Sequence, residues 1–209
     1  MEKIGEGYYY SVYAHGPDRV VKKQTSTASK LSKLIAWYGH DPVLLAGKIS
    51  QLEADALDSI TRSKKLADMP ELRAILGHPV FINDYEYEQD RATPLESFLD
   101  AEGEFLAYVE EYIDANILLW EFGYGEVVHN FTLNAGVSAV TGKVILLDFN
   151  DLTQRKEEVT KDIETKKWTT QVSMARLKES HPSLHAKVEP LLESALTLDK
   201  LDAHWASRC

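Results

Sequence analysis

Cysteine is almost absent: Cys209, the last residue, is the only one in 209. A single thiol cannot close an intramolecular disulfide, and no cysteine pair is available to zinc, which suits a reducing compartment. The seven histidines are scattered, and His15, His40, His78, His181, His185 and His204 are read as structural or exposed. Positive charge is short. Lys and Arg total 23 against 33 Asp and Glu, and the net charge of −10 argues against a general binder of nucleic acid or anionic membrane, though not against one local basic pocket. No apolar run approaches a membrane span. Met1-Glu2-Lys3-Ile4-Gly5-Glu6-Gly7 lacks the apolar core of a signal peptide, so the expected location is cytoplasmic. Internal repeats and low-complexity segments are missing as well.

What is present is organised around residues 127–151. A polar cluster holding His129, Asn130 and Asn134 leads to a turn at Thr141-Gly142. The apolar strand Lys143 to Leu147 follows and delivers Asp148 at its far end. An amide followed by a carboxylate on the next strand is how a hard cation such as Mg²⁺ is held against phosphate oxygens. At 209 residues and 44% hydrophobic content, the chain can bury a real core as one domain or two small lobes.

The first lobe is expected over residues 1–90. Ile4 to Ala14 reads as two strands joined at a tyrosine-rich turn, with Gly5 and Gly7 permitting close backbone approach to a ligand. His15-Gly16-Pro17-Asp18 is a turn. Arg19-Val20-Val21-Lys22-Lys23-Gln24 alternates as a third strand. A glycine hairpin followed by a lysine-bearing strand can cradle phosphate, backbone above and ammonium below. Lys22 shares a strand face with Val20 and Lys23 with Val21; Lys22 is preferred as the buried cation, with Lys23 the alternative. Residues 25–40 read as a mobile linker with a short apolar anchor. Asp41-Pro42 starts a helix on whose apolar flank lies Glu53, an inward carboxylate that would pair with Lys22. Met69-Pro70 ends that helix. Two strands then flank a turn at Asn83-Asp84, and residues 89–93 cross to the second lobe.

The second lobe, residues 91–209, opens on the helix signal Thr93-Pro94-Leu95-Glu96. A core helix carries Leu106, Val109, Ile113, Ile117 and Trp120. After the polar loop and Asp148, a charged amphipathic helix is expected from Gln154 to about Glu179, and a last helix from Pro182 to about Leu201.

This order resembles the protein-kinase-like superfamily, including its aminoglycoside phosphotransferase branch. Gly5-Glu6-Gly7 with Val12 looks like the glycine-rich loop, Val20-Val21-Lys22 like the phosphate-lysine strand, and Glu53 like its helix partner. Asn134 looks like the metal-binding asparagine. Asp148-Phe149-Asn150 looks like Asp-Phe-Gly, with Asn at a position where left-handed geometry is tolerated. Size, the segment Val12-Tyr13-Ala14-His15 and the tryptophan-bearing tail are similar to the YrbL family, linked by name to the PhoP regulatory network of enteric bacteria. The resemblance implies an α+β, two-lobed kinase-like fold with a small β-rich N-lobe and a truncated, mostly helical C-lobe. It implies ATP and Mg²⁺ as cofactors, and an acceptor or regulatory protein as a further partner.

Two departures shape the functional expectation. The catalytic aspartate of kinases is missing. Counting back from Asn134 puts His129 in its place, and anchoring on Gly125 puts Asn130 there. A histidine could accept a hydroxyl proton near neutral pH; an asparagine could only orient the hydroxyl. The peptide-binding activation segment with its Ala-Pro-Glu element is missing too. The chain therefore reads as an atypical phosphotransferase, or alternatively as a pseudokinase that binds a regulatory partner without catalysis.

Overall fold

The computed structural model describes residues 1–207 apart from positions 8, 26, 40 and 151, with residues 27, 28, 37, 38, 42 and 50–59 described by backbone alone. The fold is α+β, with a small antiparallel sheet in its N-terminal region and a mostly helical C-terminal part. Contacts divide the chain into two compact units. The first holds Met1–Arg73 and His78–Arg91, and the second holds Ala74–Gly77 and Ala92–Cys209.

In the first unit, alternation sets the strands. β1 (Lys3–Glu6), β2 (Tyr10–His15) and β3 (Arg19–Gln24) are followed by helices α1 (Thr27–Tyr38) and α2 (Pro42–Ala67), then by β4 (Val80–Asn83) and β5 (Glu86–Asp90). The sheet runs β1-β2-β3-β5-β4, every pair antiparallel. Tyr10, Val20, Lys22, Tyr87 and Gln89 share one of its faces and are all buried, because the two-residue period sends every second side chain the same way. The linker expected over residues 25–40 is a helix instead. Leu31, Leu34 and Ile35 fall at helical spacing and Leu34 is buried, a pattern masked in the sequence by surrounding Ser, Thr and Lys. α2 starts where Asp41 predicts: its carboxylate accepts from the amides of Val43 at 2.9 Å and Leu44 at 3.0 Å, satisfying two of the orphan donors of the first turn.

The second unit begins with β6 (Ala92–Pro94) and a single 3₁₀ turn, Leu95–Phe98, where the sequence suggested a helix. α3 (Glu102–Glu121) then buries Phe105, Val109, Tyr112, Asn116 and Trp120 along one face. β7 (Gly125–Glu126), α4 (Phe131–Asn134), β8 (Ala135–Ser138), β9 (Val144–Leu146) and β10 (Leu152–Thr153) follow. They form a three-stranded sheet, β6-β8-β9, and a two-stranded ladder, β10-β7. The four residues 74–77 also belong here: the Leu146 amide donates to the Ile75 carbonyl at 2.8 Å, and Leu76 is fully buried.

The long helix expected from Gln154 to Glu179 is broken. α5 (Lys156–Glu164) ends, Lys166 turns left-handed at φ 48°, a 3₁₀ turn spans Lys167–Thr170, and α6 (Val172–Ser180) starts anew. The break buries Trp168 completely, which outweighs the continuity of charged residues that made one helix look favourable. The last expected helix is likewise two, α7 (Pro182–Ala195) and α8 (Leu198–His204), the second capped by Thr197. Among the described residues no helix is long and apolar enough to cross a membrane.

Candidate functional site

Within the first unit, the glycine hairpin and the lysine strand are joined by register. Gly5 lies opposite Val12, Val12 opposite Lys22, and Lys22 opposite Tyr87. Directly opposed residues point to the same side of a sheet, so one cross-strand row carries a glycine, a β-branched residue, a cation and an aromatic ring. Lys22 is only 7% exposed, with its ammonium 5.8 Å from the Tyr87 ring centroid. Lys23 points the other way, to Glu86 at 3.1 Å, and lies 5.9 Å from the Tyr13 ring centroid. Of the two lysines, the one sharing a face with Val20 is therefore the buried one. Glu53 lies within α2, but its side chain is outside the described residues.

Neither Gly5 nor Gly7 has a positive φ, and a Cβ at either would meet only ordinary van der Waals contacts, 3.6 Å and 3.5 Å at nearest. Backbone geometry and packing thus do not account for glycine at these two positions. The tip of the hairpin is held from α1. Lys33 donates to the Gly7 carbonyl at 2.8 Å and lies 3.3 Å from Glu6, and the Ser29 hydroxyl donates to Glu6 at 3.0 Å. Lys3, with Ser29 and Lys33, holds the Glu6 carboxyl down to about 2.

Within the second unit, the polar loop is built on a buried carboxylate that sequence reasoning passed over. Glu126 on β7 is 4% exposed. It accepts a hydrogen bond from the Tyr112 hydroxyl on α3 and another from the His129 amide at 3.1 Å. Burial pushes its carboxyl up to about 7, with the nearby charge of Asp148 adding to the rise. The signal available in the sequence was a lone carboxylate in the apolar run Gly125-Glu126-Val127-Val128. Gly125 beside it is fixed by space: a Cβ there would fall 2.4 Å from a Val159 methyl.

His129 is left-handed at φ 52° and 5% exposed. Its ring stands edge-on to Trp168, centroids 6.1 Å apart. Neither ring nitrogen has a hydrogen-bond partner among the described residues; the Asp162 carboxylate lies 4.0 Å from Nε2 and binds Lys167 at 3.1 Å. Burial first, and then the charge of Lys167, lowers the imidazole to about 4. A base of that strength, enclosed in this way, takes a proton from a hydroxyl poorly at neutral pH. The Asn130 carbonyl oxygen Oδ1 is buried without a partner among the described residues.

The β8–β9 pairing sets the backbone of Asn134 beside Leu147, the residue before Asp148. The Asn134 carbonyl accepts from the Leu147 amide at 2.7 Å, next to Asp148, and Ala135 lies opposite Leu146. Both side chains are partly exposed. Asp148 accepts from the Asn150 side-chain amide at 2.8 Å. Asn150 is not left-handed; the expectation of a glycine-like turn there gives way to an amide that steadies the aspartate. Among the described residues no three His, Cys, Asp or Glu side chains converge as metal ligands. One carboxylate and one amide nevertheless suit Mg²⁺, which keeps most of its waters and shares the rest with phosphate.

His181 and His185 lie four residues apart without forming a pair. His181 occupies the N-cap position of α7 without a side-chain capping bond and approaches Asp100 at 3.6 Å, and His185 approaches Glu189 at 3.8 Å. No protein-family model matches the chain, and no curated protein matches it.

Proposed function

We infer that the chain binds ATP with Mg²⁺ in the manner of a kinase-like protein. Gly5, Gly7 and Lys22 would serve the phosphates, and Asn134 and Asp148 the metal. The observation that carries this reading is the row Gly5–Val12–Lys22–Tyr87, which sets a buried lysine on the same sheet face as a hairpin whose two glycines no packing requirement explains. A glycine hairpin on a sheet with a lysine-bearing strand is the kind of cradle that suits phosphate. Asn134 and Asp148 would hold Mg²⁺, and the bound ion would supply positive charge to offset the phosphates.

Whether phosphate is transferred depends on the loop. The low basicity and enclosure of His129 favour the reading in which nucleotide is held without efficient transfer, a regulatory kinase-like module. Phosphoryl transfer leans more on positioning than on a strong base, so a slow atypical transferase is the second reading.

The test is thermal. Mg-ATP at one hundred times its dissociation constant stabilises the native state by about 2.7 kcal/mol, which raises the melting temperature by roughly 5–10 °C in a chain of this size. Lys22→Ala and Asp148→Ala should each remove most of that shift while leaving a folded protein, and Lys23→Ala should keep it. A full shift in both Lys22→Ala and Asp148→Ala would end the nucleotide reading. Turnover of ATP above background in the wild type, lost in His129→Ala with the shift retained, would select the transferase.

A further inference from the structure

We propose that α1 is a clasp on the glycine hairpin: Ser29 and Lys33 hold the Glu6 carboxylate on the sheet face opposite Lys22, and so keep the hairpin open to polyphosphate. The proposal rests on nucleotide binding and adds to it a device that regulates the site. A carboxylate between two glycines is out of place in a phosphate cradle, since its charge opposes the anion to be received. Register shows where the chain puts it. The β1–β2 pairing shifts between Lys3 and Gly5, so that Lys3 lies opposite Tyr13 and Glu6 opposite Ser11. Ser11 in turn lies opposite Lys23, and Lys23 opposite Glu86. Glu6 therefore shares a face with Lys3 and Lys23, whereas Gly5 and Val12 share the other with Lys22.

Three groups hold the carboxylate there. Lys3 pairs with it along the strand at 2.5 Å; from α1, Lys33 lies 3.3 Å away and the Ser29 hydroxyl donates to it at 3.0 Å. Ser29 and Lys33 are four residues apart and so neighbours on one helix face. With its carboxyl held down to about 2, Glu6 stays ionised at neutral pH, and its charge has to be offset by neighbours rather than removed by a proton. Lys33 also donates to the Gly7 carbonyl at 2.8 Å, while the Gly7 amide donates to the Tyr10 carbonyl at 2.7 Å. The clasp thus fixes the hairpin tip as well as the charge upon it. Without Lys33 the tip loses its tie to α1 and opens more often. The Glu6 charge is then left to Lys3 and Ser29, and it repels a ligand in proportion to the ligand's own negative charge. The first effect is one of order and the second one of charge, and removing the carboxylate cures only the second.

The full-length protein is followed by amide hydrogen exchange without ligand, and by calorimetric titration with Mg-ATP, Mg-ADP and adenosine. Lys33→Met, which keeps the apolar stem, should speed exchange at residues 5–12 by about threefold or more while leaving the melting temperature within about 2 °C. It should bind Mg-ATP about fivefold more weakly, the upper end of what one exposed charge contributes, Mg-ADP with a smaller loss, and adenosine as the wild type does. Glu6→Gln in that background should restore most of the Mg-ATP affinity but not the slow exchange. Lys65→Met, at an exposed lysine on the last turn of α2, makes the same change in net charge and should alter neither reading. Full Mg-ATP affinity or unchanged exchange in Lys33→Met overturns the clasp and leaves the nucleotide reading standing. So does an equal loss for adenosine, or a loss that Glu6→Gln does not restore, since Lys33 would then meet the phosphates itself. A wild type that binds no Mg-ATP ends the nucleotide reading, and this role for Glu6 with it.

Discussion

Glu126 and His129 titrate in opposite senses on folding, and the pair makes a measurable signature. Glu126 sits at about 7 when folded against 4.5 ordinarily. Between those values the folded chain holds the extra proton, so this contribution is full below about pH 4.5 and is lost as pH rises through about 7. His129 sits at about 4 against 6.5. There the unfolded chain holds the extra proton, so its contribution is full above about pH 6.5 and is lost as pH falls through about 4. Each spans about 2.5 pH units, an upper limit of roughly 3 kcal/mol. Between pH 4.5 and 6.5 the two slopes oppose. Denaturant melts should therefore find stability in the wild type insensitive to these groups in that window. Glu126→Gln should leave stability rising with pH there, and His129→Asn, which tolerates the left-handed backbone, should leave it falling. Parallel profiles in the two variants would refute the assignment. Glycines divide just as sharply. A Cβ at Gly136 would fall 2.7 Å from the Thr93 carbonyl oxygen, so Gly136→Ala should cost roughly 1–3 kcal/mol. Gly5→Ala and Gly7→Ala should change stability by less than about 0.5 kcal/mol yet reduce the Mg-ATP shift. A stability loss at Gly5 as large as at Gly136 would make its role structural.

At the scale of elements, the strands of the first sheet were legible because each alternates and each turn announces itself, as at Gly16-Pro17 and Asn83-Asp84. α2 was legible from Asp41 and Pro42, and α3 from its apolar spacing. Other features were not. α1 hid in a polar composition. The break at Lys166 has no Gly or Pro to mark it, since burial of Trp168 decides it from a distance. Glu126 joins Tyr112, fourteen residues earlier, a pairing that no local pattern encodes. Of the residues singled out, the alternation placed Lys22 on the buried face, and the turn at Thr141-Gly142 returned the chain so that Leu147, before Asp148, bonds to Asn134. The state of His129 was hidden, because its enclosure comes from Trp168 and Asp162 on later elements. The left-handed Lys166 offers a test of the break. Its ion pair to Glu193 at 2.6 Å is solvent-exposed and contributes little, whereas the left-handed backbone costs about 1–2 kcal/mol. Lys166→Gly should raise the melting temperature by roughly 2–4 °C. A fall of similar size would mean that the ion pair, not the turn, holds α5 and α6 apart.

At the scale of the whole molecule, the boundary near residue 91 is not a place to cut. Residues 74–77 sit in the second unit although the chain on either side of them belongs to the first. A fragment of residues 92–209 would lose Leu76 from its core and the acceptor of the Leu146 amide. Losing a buried leucine alone costs about 2–5 kcal/mol. That fragment should therefore melt well below a chain of residues 74–209, as followed by circular dichroism; equal melting would show the insertion to be dispensable. The same insertion sets an order of events during synthesis. Residues 74–77 leave the ribosome before β4 and β5, and their partner on β9 follows about seventy residues later, a delay of roughly 4–14 s at ordinary translation speed. Through that interval the first sheet can close while Leu76 waits without its pocket, so the nascent chain carries an exposed leucine that a chaperone can hold and the finished protein cannot show.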